Sequence, residues 1–262
     1  MPVFQSISPV LGQSISGLAP MSMLVFLLAL PSSCAFECVQ GNEVTASRVY
    51  ETSNFHSVEL DGSFDVVITQ GSTHKVWARG DENILEHLDF TVKSGFLTAS
   101  LSPGCFLMYD MVVFVETPHL RRAMISGSGD IAVGGFQSQL YANYLFDELS
   151  ARVEGSGTIS LKDMAGIDLY EVIVNGSGNV DFLEPMALAE LLSIQINGSG
   201  DVDARSLASE RVKIGINGSG DVEAHVLARL EVDVNGSGDV RYIGEPGIVD
   251  TDVQGSGTVS RY

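Results

Sequence analysis

Basic residues are scarce in this sequence. Lysine and arginine total 14 against 33 aspartates and glutamates, a formal net charge of −19 over 262 residues. Affinity for nucleic acid and for anionic membranes comes largely from Lys and Arg on phosphates, so neither is a partner here, and polyanionic substrates fit poorly. Only three cysteines are present, which counts against an intracellular metal-thiolate protein. Long apolar runs are missing too. The longest, Met21 to Leu30 (MSMLVFLLAL), is half of the roughly 20 residues a membrane-spanning helix needs. Apolar residues nonetheless make up 45% of the chain and glycine reaches 28 residues. That pairing points to a buried core joined by many tight turns, not to disorder.

Charged side chains are absent from the N-terminus, where none precedes Glu37 and the first basic residue is Arg48. The Met21–Leu30 run suits the core of a secretory leader, and Ser33 and Ala35 supply the small residues for cleavage before Phe36. The reading is a signal peptide over residues 1–35 and a linker over 36–44, with the chain exported to the periplasm, outer membrane or cell surface. No stable membrane span remains once the leader is removed. Cys34 offers a lipidated alternative, although Leu30 lies one place too far upstream for a good lipobox. Cys38 and Cys105 then remain in an oxidising compartment. Free thiols and a bridge are equally compatible with their spacing, because geometry decides.

A repeat dominates the rest. Gly-Ser-Gly occurs seven times, beginning at Gly127, Gly155, Gly176, Gly198, Gly218, Gly236 and Gly255. Before the turn, apolar and polar residues alternate: Leu192, Ile194, Ile196; Val212, Ile214, Ile216; Leu230, Val232, Val234. After it, a β-branched residue recurs at Ile131, Ile159, Val180, Val202, Val222, Val240 and Val259. Period-two alternation with β-branched residues is a half-buried strand. A unit of about twenty residues cannot bury its apolar face alone, so copies must stack. A meander with hairpin tips at each Gly-Ser-Gly uses the same pattern, but near-identical turns favour the stack. Leu207 and Leu227 recur in the returns and are candidates to plug the core. The fold class expected is all-β: a right-handed β-helix, solenoid-like stack of strand–Gly-Ser-Gly–strand repeats over 126–262, preceded by a less regular β region over 45–125. A degenerate copy, Leu60-Asp61-Gly62-Ser63-Phe64-Asp65-Val66, extends the repeat upstream. One helical turn is expected at Glu82 to Leu88.

Three stretches carry a family resemblance: Phe55-His56-Ser57-Val58-Glu59-Leu60-Asp61-Gly62-Ser63-Phe64-Asp65-Val66, then Gly80-Asp81-Glu82-Asn83-Ile84-Leu85, and the Gly-Ser-Gly-Asp turns closing on Val240-Arg241-Tyr242-Ile243-Gly244-Glu245-Pro246-Gly247. Over residues 45 to 262 the chain resembles the putative auto-transporter adhesin head, GIN-domain family of bacterial exported proteins. The resemblance implies a β-rich, solenoid-like protein on or near the cell envelope and carries no catalytic residues. Glu154 and Gln254 depart from the pattern, standing where Ser or Asn would precede Gly-Ser-Gly.

The residue after each turn is Asp130, Thr158, Asn179, Asp201, Asp221, Asp239 or Thr258. What these share is an oxygen, not a charge, so an acceptor for nearby backbone N–H groups explains the column better than a metal ligand. Calcium-binding β-rolls are also glycine- and aspartate-rich, but repeat every nine residues. Asn175, Asn197, Asn217 and Asn235 sit in Asn-Gly-Ser, formally a glycosylation acceptor, and read more simply as turn residues tolerant of left-handed backbone. His56, His74, His87, His119 and His225 are scattered, without metal-ligand spacing. The turn serines lack a nucleophile-elbow context. Arg152 and Arg205 are the nearest bases for a polysaccharide-lyase alternative, which the negative charge suits poorly. Catalytic, cofactor-binding and metal residues are therefore none, and no cofactor is called for. The expected role is structural or adhesive, toward an unknown glycan or protein ligand. The alternative is a carbohydrate-active parallel β-helix enzyme.

Overall fold

Alternation decides which side of every strand faces inward. In Ala189–Gly198 the side chains of Leu192, Ile194 and Ile196 are buried while Gln195 and Asn197 face out. Each such strand pairs in parallel with its counterpart one repeat on. Leu192, Ile194 and Ile196 lie beside Val212, Ile214 and Ile216, and these beside Leu230, Val232 and Val234. A meander would pair them antiparallel, so the hairpin alternative is set aside. Like residues therefore pile into apolar columns, each buried Val or Ile contributing about 1.5–3 kcal/mol of transfer free energy against the ordering of its strand.

The computed structural model describes residues 38–137 and 147–262, and the expected leader over 1–35 lies outside the described residues. Phe36–Tyr262 belong to one unit, and its class is all-β, as the sequence implied. Among the described residues nineteen strands join one hydrogen-bonded sheet, which folds over at the Gly-Ser-Gly turns and nearly closes around one core, barrel-like. Two ladders make it up. The leading ladder holds strands that enter a turn, such as Arg122–Ile125, Glu148–Val153 and Leu169–Gly176. The trailing ladder holds those that leave it, such as Ile131–Gln137, Thr158–Ala165 and Asn179–Met186. Val202–Gly218 and Val222–Gly236 run through both.

The degenerate copy is a rung of the same sheet. Ser57–Asp61 pairs in parallel with Arg122–Ile125, and Asp65–Gln70 with Ile131–Gln137. The chain then turns back. Phe96–Leu101 and Met111–Thr117 pair on the other side of that rung, still parallel. Beyond them Leu88–Lys93, Lys75–Asp81 and Thr45–Tyr50 add antiparallel strands that close this end. The stack thus grows in both directions from residues 57–70. Within the expected linker, Val39–Gln40 pairs with Phe106–Leu107, and Cys38 is bridged to Cys105. The helix spans Glu82–Leu85, shorter than expected because Leu88 already starts a strand. No helix among the described residues is long and apolar enough to cross a membrane. Leu207 plugs the core as expected, but Leu227 does not. It is exposed, and buried Val226 takes the inward position instead.

Candidate binding surface

The turns place backbone on backbone. A Cβ added to Gly200 would lie 1.9 Å from the carbonyl oxygen of Gly178, one rung back. Gly198 has φ +149° and would meet the Gly176 oxygen at 2.1 Å. The Ser199 N–H donates to that same Gly176 oxygen at 2.9 Å, while its exposed hydroxyl has no hydrogen-bond partner. The turn needs two glycines and one N–H, and the serine side chain does not hold it together.

The residue after the turn accepts backbone N–H groups as expected, but they belong to the next rung and not to its own turn. Asp201 accepts the N–H of Asp221, and Asp221 that of Asp239, both at 2.8 Å. Asn179 serves Asp201 in the same way at 2.9 Å. At the end of the column the Thr258 hydroxyl and N–H both donate to Asp239, holding its carboxyl below the usual carboxylate range. Each carboxylate has its own donor. Among the described residues no group of three or more His, Cys, Asp or Glu is placed to hold a metal ion.

The asparagines are corrected as well. None has left-handed backbone, and the positive φ falls on the glycine that follows each. Their amides form a ladder instead: Asn197 donates to Asn175 at 2.9 Å, Asn217 to Asn197 at 3.1 Å and Asn235 to Asn217 at 3.4 Å. Arg152 is paired with Glu154, and Arg205 spans Asp203 and Glu223. Hydrogen bonds from Arg205 hold the Asp203 carboxyl low, while burial, then Asp203 and Asp201, push Asp181 up.

Three of the histidines read as scattered come together. His56, His74 and His119 line one hollow with Phe55, and the His74 and His119 rings lie 6.2 Å apart. His74 Nε2 is 2.7 Å from the Phe55 carbonyl. Burial, with added repulsion from His74, His56 and Arg121, lowers the His119 pKa below the ordinary 6.5. His87 sits elsewhere, beside Ser102, and His225 pairs with Ile243.

A different feature escaped the sequence reading. On the trailing ladder, Val76, Ala78, Val113, Val115, Val66 and Ile68 fill the core. Alternation therefore turns Trp77, Phe114 and Val67 outward, where they stand in register with Val49 and Ala132. Trp77 and Phe114 stack with centroids 5.2 Å apart and planes 10° from parallel. Lys75 Nζ lies 4.5 Å from the Trp77 ring. Val49 is 63% exposed, and Trp77 and Phe114 are partly exposed. Polar residues flank this strip, Arg79 and Asp65 on either side of Val112 along one edge, and Lys75, Glu116 and Thr69 along the other. The missed signal was an aromatic at the outward phase of two alternating strands.

The family model described as "Putative auto-transporter adhesin, head GIN domain" matches residues 54–246, well over half of the chain. The chain belongs to this family. Its GIN-domain architecture also recurs in solved structures. A putative adhesin from Bacteroides fragilis superposes with TM-score 0.74 at 20% identity, over 86% of this chain and all of its own. A putative lipid binding protein from Parabacteroides distasonis gives 0.68 at 18% identity, over 86% and 100% of the two chains. A putative adhesin from Parabacteroides merdae gives 0.66 at 21%, over 86% and 98%. At these identities the likeness shows the fold. Among curated proteins none matches the chain.

Proposed function

We propose that this chain is an exported cell-envelope protein that presents a carbohydrate-binding face at the irregular end of a rigid repeat and catalyses no reaction. The carrying observation is the outward strip of Trp77, Phe114, Val67 and Val49. A coplanar aromatic pair edged by hydrogen-bonding side chains suits the flat C–H face of a sugar ring and its equatorial hydroxyls. An apolar strip on the solvent side of a sheet also has no use in the core. Family membership supports an extracytoplasmic, adhesive setting, and a leader over 1–35 followed by a short linker would deliver the chain there. The parallel, in-register ladders support reading residues 126–262 as a β-solenoid. The usual hand of parallel crossovers makes it right-handed.

Trp77 is the only tryptophan, so its fluorescence reports directly on the strip. A glycan array and a polysaccharide-degradation screen on the full chain test the proposal. Binding should shift the Trp77 emission, and Trp77→Ala should weaken it at least about tenfold with the melting temperature kept. Undiminished binding by the variant would refute the site, and shortening of any polysaccharide would move the protein to the enzyme alternative. Export is checked by N-terminal sequencing. The exported form should begin at Phe36 or at a lipidated Cys34, whereas intact Met1 in the cytoplasm would overturn it.

A further inference from the structure

A second hollow lies on the leading ladder, away from the Trp77 strip. Arg122 stands in register between Ser57 and Ser150, with Phe96 beside Ser57. Both serines are buried and small, so the outer face sinks at this point into a cavity of about 260 Å³. His56 and Phe96 form one wall, their ring centroids 6.1 Å apart. Arg121, Asp147 and Glu148 complete the lining. The strands beneath are fixed on both sides. The Arg121 N–H donates to the His56 carbonyl at 2.7 Å, and the Ser150 N–H to the Arg121 carbonyl at 2.9 Å.

The charges here stand apart in one respect. Along the repeat the arginines pair with acids, as Arg152 does with Glu154 and Arg211 with Glu190. Arg121 and Arg122 form no ion pair with a described residue, and neither do Asp147 and Glu148, though all four line the same small hollow. The Nε of Arg122 is buried without a hydrogen-bond partner. Its guanidinium carbon lies 5.7 Å from the Phe96 ring, which orients it without neutralising it. Leaving a partly buried charge unpaired costs free energy unless something pairs with it. Opposite charges that share a cavity without touching keep their hydrogen-bonding capacity for whatever lies between them.

We propose that this cavity binds a small ligand carrying a carboxylate at one end and hydrogen-bond donors, hydroxyl or ammonium, at the other. The planar guanidinium fork of Arg122, with Arg121 beside it, matches a carboxylate. Asp147 and Glu148 can only accept when ionised, so the far end must donate. Phe96 and His56 give the middle of the ligand a ring face to lie on. The volume suits one monosaccharide or one amino acid. A uronic acid and a free amino acid both have this chemistry, and the site stands whether or not Trp77 binds glycans.

Titration calorimetry on the full chain with glucuronate, phenylalanine and glucose tests it. Glucuronate or phenylalanine should bind at least about tenfold more tightly than glucose, which has the hydroxyls but no carboxylate. Arg122→Gln should weaken that binding about tenfold or more, and Arg152→Gln should leave it unchanged. Arg122→Lys, which keeps the charge and loses the fork, should fall between, and it serves if the Gln variant fails to fold. Preference for glucuronate identifies an acidic sugar. Preference for phenylalanine, lost further in Asp147→Asn, identifies an amino acid. No binding by either at millimolar concentration, equal binding of glucose, or indifference to both Arg122 substitutions would overturn the proposal.

Discussion

The two ends of the sheet use their side chains in opposite ways. Through residues 169–255 the asparagines, the turn glycines and most residues that follow the turn are committed to a neighbour one rung away. Asn meets Asn, Asp meets backbone N–H, and glycine carbonyls crowd the next glycine. Around residues 45–125 the chain reverses, antiparallel strands join the parallel ones, and the columns break. There Trp77 stacks on Phe114, Arg122 stands unpaired and three histidines share a hollow. Repetition secures stability by spending side chains on self-pairing. Irregularity leaves the outer face of the Trp77–Phe114 pair and the Arg122 Nε without such a neighbour, so the candidate sites gather at the non-repeating end.

The sharpest way to break this comparison is in the turns. Gly200→Ala forces a Cβ into a carbonyl oxygen, and Gly198→Ala adds a left-handed backbone strain. Overpacking of about 1–3 kcal/mol and strain of about 1–2 kcal/mol give a loss of roughly 2–5 kcal/mol for Gly198→Ala. Ser199→Ala should change stability by no more than about 0.5 kcal/mol. Urea melts of the three variants decide it, and equal small effects would mean that the rungs are not held backbone to backbone.

A smaller effect separates oxygen from charge in the Asp column. Asp221→Ala removes the acceptor for the Asp239 N–H and should cost about 1 kcal/mol. Asp221→Asn keeps an acceptor and sheds a charge beside Asp201, so it should melt within a degree or two of the parent. A large loss in the Asn variant would instead argue for a charge-dependent role such as cation binding.

The smallest expected effect lies at the irregular end. The His119 pKa is lowered by folding, so the unfolded chain binds the proton first as pH falls. The stability that neutral His119 contributes is full above its unfolded value of about 6.5 and is lost as pH drops from there through the folded value. Thermal melts between about pH 7 and pH 5 should show a declining midpoint, with a shallower decline in His119→Gln. An identical slope in the variant would place the pH sensitivity elsewhere.

Much of the rung structure was legible in the residues themselves. Leu192, Ile194 and Ile196 announce a strand and its buried face, and the spacing of Gly-Ser-Gly announces the stack, because both are local consequences of pleat and turn. Even the degenerate Gly62-Ser63-Phe64 rung could be aligned by eye. The Asn ladder could not, since the reason for Asn197 is Asn175 and Asn217, its neighbours across rungs. The same holds for Asp221, whose partner is a backbone N–H eighteen residues along the chain.

The sequence by itself determined the all-β class, the repeat, the inward columns and the poverty of basic charge. Each follows from side-chain period, turn chemistry or composition, properties that a short window carries with it. Tertiary structure alone decided that the chain doubles back at residues 71–117, so that Phe96 and Arg122 flank the same Ser57 and Phe114 meets Trp77. Register between strands far apart in sequence made those meetings. Pleat alternation then chose which of their side chains would face the solvent.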